Sequence, residues 1–184
     1  MELLKKTIEH DEEKREDNSD KKKLFSKNHH PRKAVEYKED WLFIKDDKLR
    51  DNIAYQLQYL EFTVYLYNDY QIYLTIESLH CKNIIVTIAS IIESALYDLI
   101  EQASQKIDYN MEERRDFAFL IKLAYEMDYI DKDIKNDIHE LRKMRNRMHM
   151  SGTGFQEYNA YTVEHANYYI GVLDRFRKMM NNFK

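Results

Sequence analysis

The sequence predicts an all-α protein, an up-and-down helical bundle of four to five helices. Two observations carry this. The 184-residue chain holds only 3 Gly and 1 Pro, several-fold below the usual share of about 7% and about 5%. Such a chain lacks the turn chemistry of hairpins, sandwiches and phosphate-cradling loops. From Tyr37 onward, aromatic and aliphatic residues also recur at i+3 and i+4, the period of a helix with one buried face. Barrel, collagen-like and Rossmann-type architectures are excluded on these grounds. A chain of this length buries a core large enough to be stable without disulfides.

The order of elements follows from the same pattern. Residues 1–36 are roughly half Asp, Glu, Lys and Arg with few large apolar side chains. They read as a charged N-terminal extension, a solvated tail or a surface helix, closed by Pro31. Residues 37–184 form the helical domain. Leu49, Ile53, Leu57, Leu60, Val64 and Tyr67 mark a long first helix that ends before Ile72. A second helix spans about Thr75 to Gln105, with a stripe of Ile85, Ile88, Ile92, Ala95, Leu96 and Leu99. Asn110 with Glu113 reads as a capping box that opens a third helix through Phe117, Leu120, Ile121 and Ala124. After a polar break at residues 128–133, a fourth helix carries Ile134, Ile138, Leu141 and Met148 and stops at Gly152. Thr162 is the expected N-cap of a fifth helix through Ala166, Ile170, Leu173 and Phe176.

Charge and cysteine content bound the setting. The net charge of −4 does not advertise nucleic-acid binding globally, so any such site must be a local cluster. A lone Cys81 forms no intramolecular disulfide, and the start MELLKKTIEHDEEKRED has no apolar leader, so a cytoplasmic location is expected. The most apolar run, Ile84 to Ile92, is far shorter than the ~20 residues of a membrane span and reads as buried helix core, so no membrane partner is expected.

The densest basic patch of the folded part is LRKMRNRMHMS, Leu141 to Ser151. At about 100° per residue, Arg142, Arg145 and His149 share one face of the fourth helix. Arg145 and His149 flank the apolar stripe, with Ile138 between them, whereas Lys143 and Arg147 take the solvated side. Cations at the edge of a core face either pair with carboxylates inside the bundle or line a cleft where a ligand supplies the negative charge. A bland reading stands beside this one, because cations in the last turns of a helix are favoured by about 0.3–1 kcal/mol through the macrodipole.

These residues resemble the HEPN superfamily (higher eukaryotes and prokaryotes nucleotide-binding), marked by an R-x(4–6)-H motif. Arg142 to His149 has the six-residue spacing, and Arg145-Asn146-Arg147-Met148-His149 is similar to the RN..H variant with one residue fewer than the strict pattern. The preceding SIIESALYDLI and LIKLAYEMDYI segments and the lead-in DIHELRKMRNRMHMSG extend the resemblance over roughly residues 84–154. The resemblance implies an HEPN-like bundle that homodimerises through the motif face and acts as a metal-independent endoribonuclease without a cofactor. Such proteins often serve as toxins with a neutralising antitoxin, or in phage defence. In that reading Arg145 and His149 are central, Arg142 and Asn146 assist, and Glu93 of the second helix pairs with Arg145 or Arg142. The alternative is a non-catalytic helical module that uses the same face to dimerise or to bind a nucleotide or other anionic partner. Pairing of both arginines, by Glu93 and Glu140, would weaken the nuclease reading.

Other constellations carry less. Glu77 and His80 have ExxH spacing, but a di-iron bundle needs a second copy and two further Glu residues. His29-His30 is too sparse for a zinc site. Tyr55, Tyr59, Tyr65, Tyr67, Tyr70 and Tyr73 are read as core and interface rings rather than as base-stacking platforms. No metal is expected.

Overall fold

The structure is a computed structural model that describes residues 30–104, 116–146 and 160–182. These form six helices and, among the described residues, no strand: α1 (Ala34–Glu39), α2 (Asp47–Asp69), α3 (Leu74–Ser104), α4 (Phe117–Glu126), α5 (Lys132–Asn146) and α6 (Val163–Asn182). Consecutive helices pack on one another, and α3 also packs against α5 and α6, which makes it the central element. Its Ile84, Ile85, Ile88, Ile91, Ile92, Ala95 and Leu96 are essentially inaccessible to solvent. By length and composition Leu74–Ala103 is apolar enough to cross a membrane, although 67% of its most apolar window is buried inside the bundle. That is a longer apolar stretch than the run Ile84 to Ile92 alone suggests.

The helix beyond the expected four to five is α1. It crosses the expected boundary at residue 36, and Tyr37, Trp41 and Ile44 of this segment are fully buried. The chain is anchored even before α1, at Glu61 of α2. Arg32 Nε lies 3.2 Å from Glu61 Oε2 and stacks on the Tyr37 ring, while the Tyr37 and Tyr65 hydroxyls both donate to the same carboxylate. A carboxylate 2% exposed is tolerable only because cation and hydroxyls surround it. Burial, then the hydrogen bond to Glu61, pushes the Tyr65 phenol up to about 12. A second buried acid, Asp98 of α3, accepts from the backbone N–H groups of Lys45 (2.9 Å) and Asp46 (3.2 Å), and so fixes the turn that starts α2. Asp46 in turn caps α2 by accepting from Lys48 and Leu49 N–H.

The helix boundaries follow their caps. Asp116, not Asn110, caps α4 by accepting from Phe119 N–H at 2.8 Å; Asn110 and Glu113 lie outside the described residues. At the other end Asp128 adopts φ 58°, and the N–H groups of Asp128 and Tyr129 donate to the carbonyls of Tyr125 and Ala124, a Schellman ending that redirects the chain into α5. Thr162 Oγ1 accepts from His165 N–H at 3.3 Å, as expected of an N-cap. Of the six tyrosines read as packed, Tyr67 is buried and Tyr65 half-buried, but Tyr55, Tyr59, Tyr70 and Tyr73 are exposed. The core part of that expectation therefore holds for Tyr65 and Tyr67 alone: α2 carries apolar residues on two faces, only one of which meets the core, and Tyr70 and Tyr73 lie in the turn after it.

Candidate functional site

Helix α5 divides its charges by face. Asp133, Asp137 and Glu140 lie on one flank, where Asp137 accepts from the Tyr168 hydroxyl (2.6 Å) and pairs with Arg175 (2.7 Å), both on α6. Glu140 pairs with Lys143 at 2.6 Å. The opposite flank carries Lys132, Lys135, His139, Arg142 and Asn146 at i, i+3, i+7, i+10 and i+14, a single line along the helix. Lys135 Nζ stands 4.0 Å above the Tyr125 ring of α4, a cation–π contact that holds it on this side. Burial, then the charges of Arg142, Lys135 and Lys143, lowers the pKa of His139, so its imidazole is neutral at neutral pH.

The last turn of α5 is fixed to α3. Arg145 Nη2 lies 3.1 Å from Glu93 Oε2, with side chains 34% and 26% exposed. The expected partnership of Glu93 with a motif arginine is therefore present, with Arg145. Ile138 and Leu141, on the adjoining stripe, are fully buried, which seats the arginine at the core's edge. The chain that returns at α6 holds the same turn. Tyr161, 2% exposed, donates its hydroxyl to the Met144 carbonyl at 3.3 Å and its backbone N–H to Ser78 Oγ at 3.2 Å.

Arg142 differs from Arg145. It is half-buried, and its Nε is buried without a hydrogen-bond partner among the described residues. Glu140, the carboxylate expected to compete for it, holds Lys143. Asn146, the last described residue of α5, is exposed. His149, with Gly152 and Gly154, lies outside the described residues, so the structure brings together Arg142, Arg145, Asn146 and Glu93 and leaves the histidine unplaced.

His139 and Tyr161 were not singled out in the sequence. His139 sits three residues before Arg142 in DIHELR, a helical-face signal that was legible; Tyr161 closes contacts to residues 17 and 83 positions away, which no local pattern announces. The ExxH pair is used in packing: Glu77 Oε2 accepts from the Tyr67 hydroxyl (2.7 Å) and His80 Nε2 lies 2.8 Å from the Thr63 carbonyl. A cavity of about 350 Å³ between α5 and α6 is lined by Asp137, Glu140, Lys143, His165 and Tyr168, on the acidic flank and away from Arg142.

An anion approaching the end of α5 thus meets two arginines, the half-buried Arg142 and Arg145, which a carboxylate orients. A guanidinium has five N–H donors, and the bond to Glu93 leaves Arg145 others to offer a phosphate. Compared with protein-family models, with curated proteins and with solved structures, the chain matches none of them.

Proposed function

We propose that the chain is an HEPN-like, metal-independent endoribonuclease of the cytoplasm that works as a homodimer, as a toxin or phage-defence component, with Arg145 and His149 central and Arg142 and Asn146 assisting. The observation that carries the reading is the pair of arginines on one edge of α5, Arg145 oriented by Glu93 and Arg142 half-buried beside it, its Nε without a hydrogen-bond partner among the described residues. Lys132 and Lys135, on the line that leads to them, add positive charge along the path a phosphate backbone would take, and the neutral His139 between them and Arg142 offers a hydrogen bond.

In the reaction the ribose 2′-OH attacks the adjacent phosphorus and the 5′-oxygen leaves, giving a 2′,3′-cyclic phosphate and a 5′-OH. His149 exchanges the proton of the attacking or leaving oxygen, and the arginines stabilise the charge gathering on the phosphoryl oxygens. The test is cleavage of RNA in EDTA by the wild type, His149→Ala and Arg145→Ala. Cleavage by the wild type that falls on the order of 100-fold or more in each variant is expected. Undiminished cleavage by His149→Ala removes that residue from the mechanism. Toxicity on overexpression, relieved by Arg145→Ala or by a neutralising antitoxin, is the matching cellular result.

The second reading is a non-catalytic module that binds a nucleotide or other anion with the same face. The Glu93 carboxylate, which neutralises part of the Arg145 charge, favours it. Nucleotide binding without cleavage by the wild type decides for the module.

A further inference from the structure

Seven of the eleven exposed large apolar side chains among the described residues, Tyr55, Tyr59, Tyr70, Tyr73, Leu74, Ile76 and Leu79, lie on α2, α3 and the turn between them. Tyr55 and Tyr59, and Ile76 and Leu79, belong to two regular lines. On α2, Asn52, Tyr55, Tyr59, Phe62 and Leu66 follow one another at alternating steps of three and four, and on α3 Ile76, Leu79, Asn83, Val86 and Ser90 do the same. Both are heptad seams, and both lie on the side away from the core lines Ile53–Leu57–Leu60–Val64 and Ile84–Ile88–Ile91–Ala95. Asn83 Nδ2 donates to the Tyr59 hydroxyl at 2.7 Å, which sets the two seams side by side in one face.

The turn reinforces the display. Leu74, 75% exposed, holds φ 59°, a left-handed conformation unusual for a branched side chain, at the tip of the hairpin.

The composition of the face narrows its occupant. Neither seam contains a charged residue over Asn52–Leu66 or Ile76–Ser90, in a chain that is 34% charged. A nucleic acid needs cations there, and a membrane surface favours a basic rim. With side chains 38–75% exposed, the four tyrosines and three aliphatic residues, each of about 150–250 Å², together expose on the order of 700 Å², which approaches the ~800 Å² per partner of a standard interface. Two antiparallel helices with adjacent heptad seams are half of a four-helix bundle, and the occupant that supplies the matching half is another copy of the same hairpin.

We propose that the uncharged α2–α3 face is the surface on which a second copy of this chain docks, closing an intermolecular four-helix bundle. This rests on the dimer reading above and names its surface. The next heptad position after Ser90 is Glu93, the partner of Arg145, so the interface runs up to the candidate site.

Sedimentation velocity on the full chain tests the proposal, with Tyr59→Glu and Ile76→Glu on the face and Leu42→Glu, 57% exposed on another surface, as control. A dimer for the wild type and Leu42→Glu, and a monomer of unchanged helicity for the two face variants, is the expected result. If the charged variants fail to fold, Leu79→Ala with Ile76→Ser must still weaken the dimer at least tenfold in Kd. A wild type that is monomeric at 100-fold the concentration used for cleavage overturns both this inference and the dimer reading; one that instead floats with phosphatidylcholine vesicles assigns the face to lipid and overturns it equally. Dimers that persist in every face variant overturn the surface alone and leave the dimer reading standing.

Discussion

Arg145 Nη2 and Glu93 Oε2 meet at 3.1 Å across 52 residues of sequence, tying the last turn of α5 to the middle of α3. The pair is about a third exposed on the arginine side, so its electrostatic contribution is that of a surface-edge bridge.

Removing Arg145 is therefore expected to separate stability from activity. Arg145→Ala should cost no more than ~1 kcal/mol in urea denaturation, since partly solvated pairs contribute about 0–1 kcal/mol. The same change should lower RNA cleavage on the order of 100-fold or more if the guanidinium meets phosphate in the transition state. Glu93→Gln keeps a hydrogen-bond acceptor for Arg145 but not the charge, and should leave stability within ~1 kcal/mol while shifting activity by less than Arg145→Ala does. An arginine variant with intact cleavage and a large stability loss would make the pair purely structural.

Glu61 contrasts with Glu93, because its partners are buried with it. Glu61→Ala leaves the Arg32 guanidinium and the Tyr37 and Tyr65 hydroxyls without their acceptor, in a pocket where Arg32 and Glu61 are 9% and 3% exposed. Removing one member of such a group is expected to cost about 3–5 kcal/mol. Urea denaturation at pH 7 measures the loss, and Tyr37→Phe, which deletes a single donor, should cost roughly 1 kcal/mol.

The contrast shows how far the sequence could be read. Helix α3 (Leu74–Ser104) lies within a residue of its expected limits, α2 ends before Ile72 and α6 starts directly after Thr162, because each has a long stripe of one period. The position of Glu93 beside its stripe predicted a meeting with a motif arginine, since both residues lie at the rim of faces that must pack. Glu61 lies on the core side of α2 by the same wheel, but its cation comes from Arg32, 29 residues earlier in a segment that composition assigns to the extension. Helix α1 has six residues and too few turns to show a period. The exposed tyrosines had a different cause: α2 has two apolar lines, and spacing alone does not say which of them faces inward.

His80 gives the fold an acid-sensitive step. Its Nε2 reaches the Thr63 carbonyl at 2.8 Å, which fixes that nitrogen as the N–H donor and leaves Nδ1 as the atom to be protonated. Burial lowers its pKa, opposed only by the Thr63 hydrogen bond, and His139 is lowered by burial and then by Arg142. A depressed folded-state pKa means that the unfolded chain binds more protons, so stability is full above the unfolded value of about 6.5 and falls as pH drops below it toward the folded values. Unfolding free energy measured from pH 8 to pH 5 should decline through this window. The decline should be shallower in His80→Gln and shallowest when His139→Gln is added. An unchanged slope in the double variant would assign the acid sensitivity to carboxylates instead.

Gly171 lies in the interior of α6, on its exposed side, and a Cβ built there meets nothing within 4 Å. The residue fills no tight crossing, and it has the ordinary helical backbone, so its cost is the entropy that glycine loses in a helix. Replacing it with alanine restricts the unfolded chain and adds helix propensity without strain. Gly171→Ala is expected to stabilise the protein by about 0.5–1 kcal/mol, a rise of roughly 1–4 °C in Tm for a chain of this size. The adjoining Val172 and Leu173 are fully buried, so the change must be confined to the solvent side for this to hold. Calorimetry reads it directly, and a lower Tm for Gly171→Ala would mean that α6 presents this position to a partner too close for a methyl group.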